Sequence, residues 1–257
     1  MKTVDFLIVG AQKSGTTALY EYLNQHPDVC MARPKELRFF ENEDHYRTTP
    51  VAYDQYHAHF HPEHQAQRWG EASPAYMYWN RAPERIHAYK PEIKLVVILR
   101  NPIERAYSHW NMSRLRGVET LPFLDALQAE KDRLPQTAPL QNKPYSYTDR
   151  GYYSRQLERL YRYFHQDNIL VLRHDSLRDD PENLQTRLCH FLGINPYQDI
   201  PLQKAYALPY PSTMSRQAWQ YLKTCYTAEI SQLEQALGWD CSQWLEPPPS
   251  QSRVDKR

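Results

Sequence analysis

Phe6-Leu7-Ile8-Val9-Gly10-Ala11-Gln12-Lys13-Ser14-Gly15-Thr16-Thr17-Ala18-Leu19 joins an apolar run, a glycine-framed loop and the start of an apolar-faced segment. Continuous apolarity from Val4 to Val9 predicts a buried strand. Gly10 to Ser14 then reads as a loop, and Gly15 to about Gln25 as a helix with Ala18, Leu19, Tyr22 and Leu23 on one face. His26-Pro27-Asp28 stops that helix. Such a strand–loop–helix turn brings the amides of Ser14 to Thr17 and the positive end of the helix dipole to one point, which suits an anion. Gly10 and Gly15 permit close backbone approach. They are framed as in the nucleotide-triphosphatase loop G-x-x-x-x-G-K-[ST]. Thr16, however, stands at the lysine position, and Lys13 is the loop's cation.

The second decisive stretch is Lys94-Leu95-Val96-Val97-Ile98-Leu99 followed by Arg100-Asn101-Pro102. Unbroken apolarity predicts a strand covered on both faces, as in a parallel sheet. Pro102 suits the first turn of a helix over Ile103 to about Leu115. Arg100 would leave the carboxyl edge of the sheet, where ligands of parallel sheets collect. Ser108 would sit near the end of the helix's second turn. A guanidinium and a hydroxyl placed there suit one phosphate. No aspartate follows this strand to hold magnesium, so the anion is expected to be bound by protein cations and amides, without a metal.

Further along, Tyr152 to Phe164 predicts a helix with Leu157, Leu160, Tyr161 and Phe164 on one face, and 168–172 another central strand. Pro181–Leu192 and Ser215–Leu237 predict helices stopped by Gly193 and Gly238. The polar segments 41–65 and 132–150 read as excursions from the core. Alternating strands and helices over 1–257, with a core from about 4 to 245, indicate one three-layer α/β domain around a central parallel sheet.

Composition narrows the function. The chain has 257 residues, with 31 Lys+Arg against 30 Asp+Glu and a net charge of +1. That balance argues against nucleic acid or a membrane surface as partner. No apolar run approaches the roughly 18 residues of a bilayer span. The run Phe6–Val9 is too short for a signal peptide, so a cytoplasmic location is expected. The four cysteines lie far apart and form no CxxC, which favours reduced thiols over a zinc site. His57, His59, His61 and His64 alternate like a metal tract. Without a second ligand cluster they read as a solvated excursion.

The two long stretches together resemble the sulfotransferases that use 3′-phosphoadenosine 5′-phosphosulfate (PAPS) and release 3′,5′-bisphosphoadenosine (PAP). The first is similar to their 5′-phosphosulfate loop, and Leu99-Arg100-Asn101-Pro102-Ile103-Glu104-Arg105-Ala106-Tyr107-Ser108-His109 to their 3′-phosphate site. The resemblance runs from about Val4 to Leu245 and includes Gly70-Glu71-Ala72-Ser73-Pro74-Ala75-Tyr76. It lies nearest the branch containing the glycosaminoglycan sulfotransferases, whose Glu-x-x-Phe-Phe stretch carries a catalytic base. Glu36-Leu37-Arg38-Phe39-Phe40 matches it.

The resemblance implies in-line sulfuryl transfer to a hydroxyl or amine of a small-molecule or carbohydrate acceptor. Glu36 would be the base, and Lys13 the cation at the leaving group. Ser14, Gly15, Thr16 and Thr17 would hold the 5′-phosphate, Arg100 and Ser108 the 3′-phosphate. Lys204 lies where relatives close a basic loop over the donor, and is a further phosphate candidate. Glu41 falls on a second acid of some relatives. Arg38, Ala72 and Asn101 depart from the branch's histidine, lysine and aspartate.

Tyr76, Tyr78 and Trp79 are candidates to line an acceptor pocket. A polysaccharide acceptor requires a long cleft lined by Lys and Arg, and a small natural product or lipid requires a closed aromatic pocket. Balanced charge and abundant Tyr and Trp favour the smaller acceptor. The competing readings are a magnesium-dependent small-molecule kinase with an atypical loop, and a nucleotide- or glycan-binding protein without catalysis.

Overall fold

The computed structural model describes residues 3–61, 66–197 and 209–247. Lys204 and His64 therefore lie outside the described residues. Five strands, β1 (Phe6–Gly10), β2 (Val29–Met31), β3 (Arg68–Ala72), β4 (Lys94–Leu99) and β5 (Ile169–Arg173), pair in the order β2-β3-β1-β4-β5, every pair parallel. The helices are α1 (Thr16–Asn24), α2 (Tyr53–His57), α3 (Ala82–Tyr89), α4 (Pro102–Leu115), α5 (Phe123–Arg133), α6 (Tyr153–Tyr161), α7 (Ser176–Asp179), α8 (Pro181–Leu192) and α9 (Arg216–Leu237).

Alternation along the two central strands builds three layers. Leu7, Val9, Leu95, Val97 and Leu99 point to one face, where they join α3 to α6 and α9 through Ile86, Trp110, Phe123, Leu160 and Leu222. Phe6, Ile8, Val96 and Ile98 point to the other, against Leu19 and Leu23 of α1 and Leu184 and Leu188 of α8. Both faces are apolar, which is why these strands read as unbroken runs. Among the described residues, no helix is long and apolar enough to cross a membrane.

The sequence-based elements stand with three adjustments. The helix expected over 152–164 ends at Tyr161, and that tyrosine is 42% exposed. Its buried stripe is Tyr153, Gln156, Leu157 and Leu160, one position away from Tyr161 on the helix wheel. Strands β2 and β3 were not legible, one being three residues long and the other reading Arg-Trp-Gly-Glu-Ala. The excursion after residue 41 is also less solvated than expected. It buries Tyr56 and Phe60, and His57 Nε2 lies 2.7 Å from Tyr89 Oη.

Gly15 caps α1 at φ 100°, and a Cβ added there would sit 2.5 Å from Leu177 Cδ1. Left-handed strain of ~1–2 kcal/mol adds to overpacking of ~1–3 kcal/mol. Gly15→Ala is therefore expected to lower the unfolding free energy by about 2 kcal/mol or more, read from the urea midpoint. An unchanged midpoint would show that this loop relaxes freely.

Candidate active site

Because β1 sits centrally, the chain leaves it for β2 and β3 on one side and for β4 and β5 on the other. The crevice beyond the carboxyl ends of β1 and β4 is thus a topological switch point, where doubly wound sheets take ligands. The loop after β1 is tied to β4 by Ala11 N–H donating to Ile98 O at 2.9 Å, and turns tightly through Ser14 N–H to Ala11 O at 3.1 Å. Lys13 stands in this turn at φ 69°. Helix α1 then starts with no side chain capping it and no acidic residue in its first turn. Its first amides, including those of Thr16 and Thr17, have no intrahelical acceptor by construction. Such an end offers donors and positive potential to an anion.

Burial lowers the Lys13 ammonium from its ordinary range, and the nearby charges of Arg100 and Arg116 lower it further. Glu36 opposes them. Arg100, directly after β4, donates through Nε and Nη2 to Glu104 Oε2 at 3.0 and 2.7 Å. Glu104 and Ser108 stand one turn apart on α4, so the Arg100 guanidinium is held at the helix face that also carries Ser108. Ser108 is buried. Asn101 caps α4, accepting from Ile103 N–H at 3.0 Å and donating to Trp244 O at 3.2 Å. An aspartate would cap as well; the donation to Trp244 O is what asks for an amide at this position.

Glu36 reaches the same edge from beyond β2, with its N–H donating to Ala72 O at the end of β3 (3.0 Å). It lies in a loop, not on the surface of a helix, and both Glu36 and Arg38 have positive φ, 65° and 58°. Lys35 Nζ and Arg38 Nη2 each bind the Glu36 carboxylate at 3.0 Å. Burial pushes this carboxyl up, but the two cations outweigh it and hold it below the usual carboxylate range. The group is therefore ionised at neutral pH.

A hollow of about 190 Å³ beside Glu36 is lined by Arg38, Glu41, His109, Arg116, Lys143 and Arg150, among others. Glu41 is buried and pairs with Lys143 Nζ at 3.1 Å. His109 is buried too; that burial, with Arg150, Arg105 and Lys13 nearby, keeps the imidazole neutral. A second hollow shares Arg38, Glu41 and Lys143 and extends to Trp79, over whose ring Lys143 Nζ sits at 4.3 Å. Tyr76 and Tyr78 belong to the buried interior.

The structure thus gathers Lys13, Ser14, Gly15, Thr16, Thr17, Arg100, Ser108 and Glu36 at one sheet edge. Sequence reading missed the cleft cations Arg116, Lys143 and Arg150. Arg116 caps the end of α4, and the other two come from a segment read as an excursion. No local signal marks them, since Arg116, Lys143 and Arg150 are scattered in the sequence. Among the described residues no group of His, Cys, Asp and Glu is arranged to hold a metal ion.

The model of the sulfotransferase domain family matches residues 3–231. A bifunctional heparan sulfate N-deacetylase/N-sulfotransferase 1 from Xenopus laevis is 30% identical over 207 residues, covering 75% of this chain and 22% of the relative. The human heparan sulfate glucosamine 3-O-sulfotransferase 6 is 33% identical over 188 residues, covering 73% of this chain and 52% of the relative. The chain thus spans between about a fifth and about half of the length of these two curated relatives. A crystal structure of a sulfotransferase from Alicyclobacillus acidocaldarius superposes with a TM-score of 0.80 at 26% identity, covering 96% of this chain and all of that one. A mouse sulfotransferase complexed with PAP, 13% identical with a TM-score of 0.57 over 92% of this chain and 89% of that one, shares the fold.

Proposed function

The chain belongs to the sulfotransferase family, and from that premise we propose that it moves the sulfuryl group of PAPS to a hydroxyl or amine of a negatively charged carbohydrate. The observation that carries this reading is the facing of two unlike sites across one crevice. An uncapped helix end with Lys13 and Arg100 suits the phosphates of the donor, and the ionised Glu36 suits an acceptor proton. The kinase reading has no support from the family or its relatives.

Bound PAPS supplies the sulfuryl group. The amides and hydroxyls of Thr16 and Thr17, with Ser14 and Gly15, hold the 5′-phosphate. Lys13 neutralises the charge that develops on the leaving phosphate. Arg100 and Ser108 grip the 3′-phosphate. Glu36 takes the acceptor's proton. Since its carboxylate is a weak base, the proton passes as the new S–O or S–N bond makes the acceptor acidic, not before.

The acceptor reading departs from the smaller, less charged ligand that composition favoured. The overall balance of +1 conceals a local excess, for Arg38, Arg116, Lys143 and Arg150 line the hollow against Glu36 and Glu41. Carbohydrate acceptors named in the relatives agree with that lining.

The test is transfer from radiolabelled PAPS to a panel of carboxylated, sulfated and neutral oligosaccharides. Transfer to anionic members is expected; transfer only to the neutral members would overturn the acceptor reading. For the donor, Arg100→Ala is expected to weaken PAP binding by about 10- to 100-fold, the loss of charge-assisted hydrogen bonds. Adenosine 5′-phosphate should be affected far less, by calorimetry. Equal losses for the two nucleotides would remove Arg100 from the 3′-phosphate site.

A further inference from the structure

We propose that Ser73, backed by the buried side chain of Glu71, is a positioning residue that holds Glu36 in place for proton transfer. The proposal rests on the reading of Glu36 as the base. Glu36 and Arg38 both occupy the left-handed region without being glycine. Each such residue costs roughly 1–2 kcal/mol and persists only where its surroundings fix it.

Two bonds fix this one, both from the end of β3. Glu36 N–H donates to Ala72 O at 3.0 Å, and Arg38 N–H donates to Ser73 Oγ at 3.0 Å. Ser73 in turn donates its hydroxyl hydrogen to Glu71 Oε1, and Tyr56 Oη–H donates to Glu71 Oε2 at 3.3 Å. Glu71 is fully buried, and Ser73, 1% exposed, forms part of the wall of the hollow beside Glu36 and Arg38.

The chemistry of the pair explains why a buried acid sits there. A serine hydroxyl rotates to suit its partners and serves as donor or acceptor. With its only hydrogen committed to Glu71, Ser73 Oγ presents lone pairs to Arg38 N–H. That fixes the Arg38 backbone, and from it Nη2 reaches Glu36 Oε2 at 3.0 Å. Release of Arg38 N–H would let the turn leave its left-handed conformation. The Glu36 carboxylate would then lose both its direction and one of the two cations that keep it ionised.

Three variants test this: Ser73→Ala, Ser73→Thr and, as reference, Glu36→Gln. For each, kcat, donor KM, PAP affinity and the acid limb of the pH–rate profile are measured. Ser73→Ala is expected to lower kcat by about 10- to 100-fold, the scale of a misplacement near 1 Å. PAP affinity should stay within about twofold by the same reasoning, since the strap touches no donor group. The acid limb should move to higher pH as Glu36 loses Arg38. Ser73→Thr, which keeps the hydroxyl, should restore kcat and the acid limb. If Ser73→Ala fails to fold, Ser73→Cys keeps the volume with a weaker acceptor and carries the same expectations.

Wild-type kcat and an unmoved acid limb in Ser73→Ala, beside a crippled Glu36→Gln, would overturn the positioning role alone. Loss of PAP binding in parallel with kcat would also overturn it, by showing a general structural defect. Wild-type kcat in Glu36→Gln would instead remove the base reading, and the proposal with it.

Discussion

Lys13→Ala is expected to reduce turnover by about 100- to 1000-fold, the loss seen when one preorganised donor to a developing oxyanion is removed. The ammonium stands in a tight turn at φ 69°, among the charges of Arg100, Arg116 and Lys35, with Glu36 as the acid that offsets them. Concentrating cations there costs free energy in the free protein, and an anionic leaving group relieves it. The relief grows as negative charge collects on the bridging oxygen, so the benefit falls on kcat more than on donor binding. Lys13→Arg is not expected to rescue activity, since a planar fork does not reproduce a compact point charge.

The sign of the pH effect follows from the lowered ammonium. Lys13 works while protonated, so activity should fall on the alkaline side, beginning below the ordinary lysine range, as the free enzyme loses that proton. Thermal unfolding monitored alongside should show no loss of stability from this group, since a lysine lowered in the folded state favours folding as its proton leaves. Near-normal turnover in a folded Lys13→Ala protein would take this residue out of the mechanism.

Glu36→Gln carries the other large expected loss, about 10²- to 10⁴-fold in kcat for a missing general base. The substitution keeps the side chain's shape and its capacity to accept from Lys35 and Arg38 through oxygen, but it has no site for the acceptor's proton. PAP affinity should be nearly unaffected, because the donor site proposed above draws on the β1 loop and α4 and not on Glu36. On the proposed mechanism the base works while ionised. Burial raises its carboxyl, yet Lys35 and Arg38 hold it below the usual carboxylate range. Activity should therefore persist on the acid side until pH falls through that lowered value, and Glu36→Gln should abolish this acid limb. A glutamine variant with parental kcat and an intact acid limb would assign the proton to another group.

How far the site could be read ahead of the structure depended on spacing. Lys13, Thr16 and Thr17 lie within one short loop-and-helix stretch, as do Arg100 and Ser108, so local geometry alone places each set. Glu36 came from a motif resemblance, and its loop conformation was hidden. Left-handed positions at Glu36 and Arg38, on either side of Leu37, oppose local propensity and are held by Ala72 and Ser73, which accept their amides. Sequence patterns report local preference, and functional loops are where tertiary contacts override it.

From the chain itself came the parallel α/β class, the tight turn between β1 and α1 and the arginine at the sheet edge, because unbroken apolar runs and a glycine-framed loop each specify structure within a few residues. Tertiary structure alone decided that β1 lies at the centre, that Glu36 faces Lys13, and that Arg38, Arg116, Lys143 and Arg150 converge on one hollow. Those cations are spread over more than a hundred residues of a nearly neutral sequence. Net charge is a sum over the whole chain, whereas an acceptor responds to the field within one Debye length of the cleft, about 8 to 10 Å.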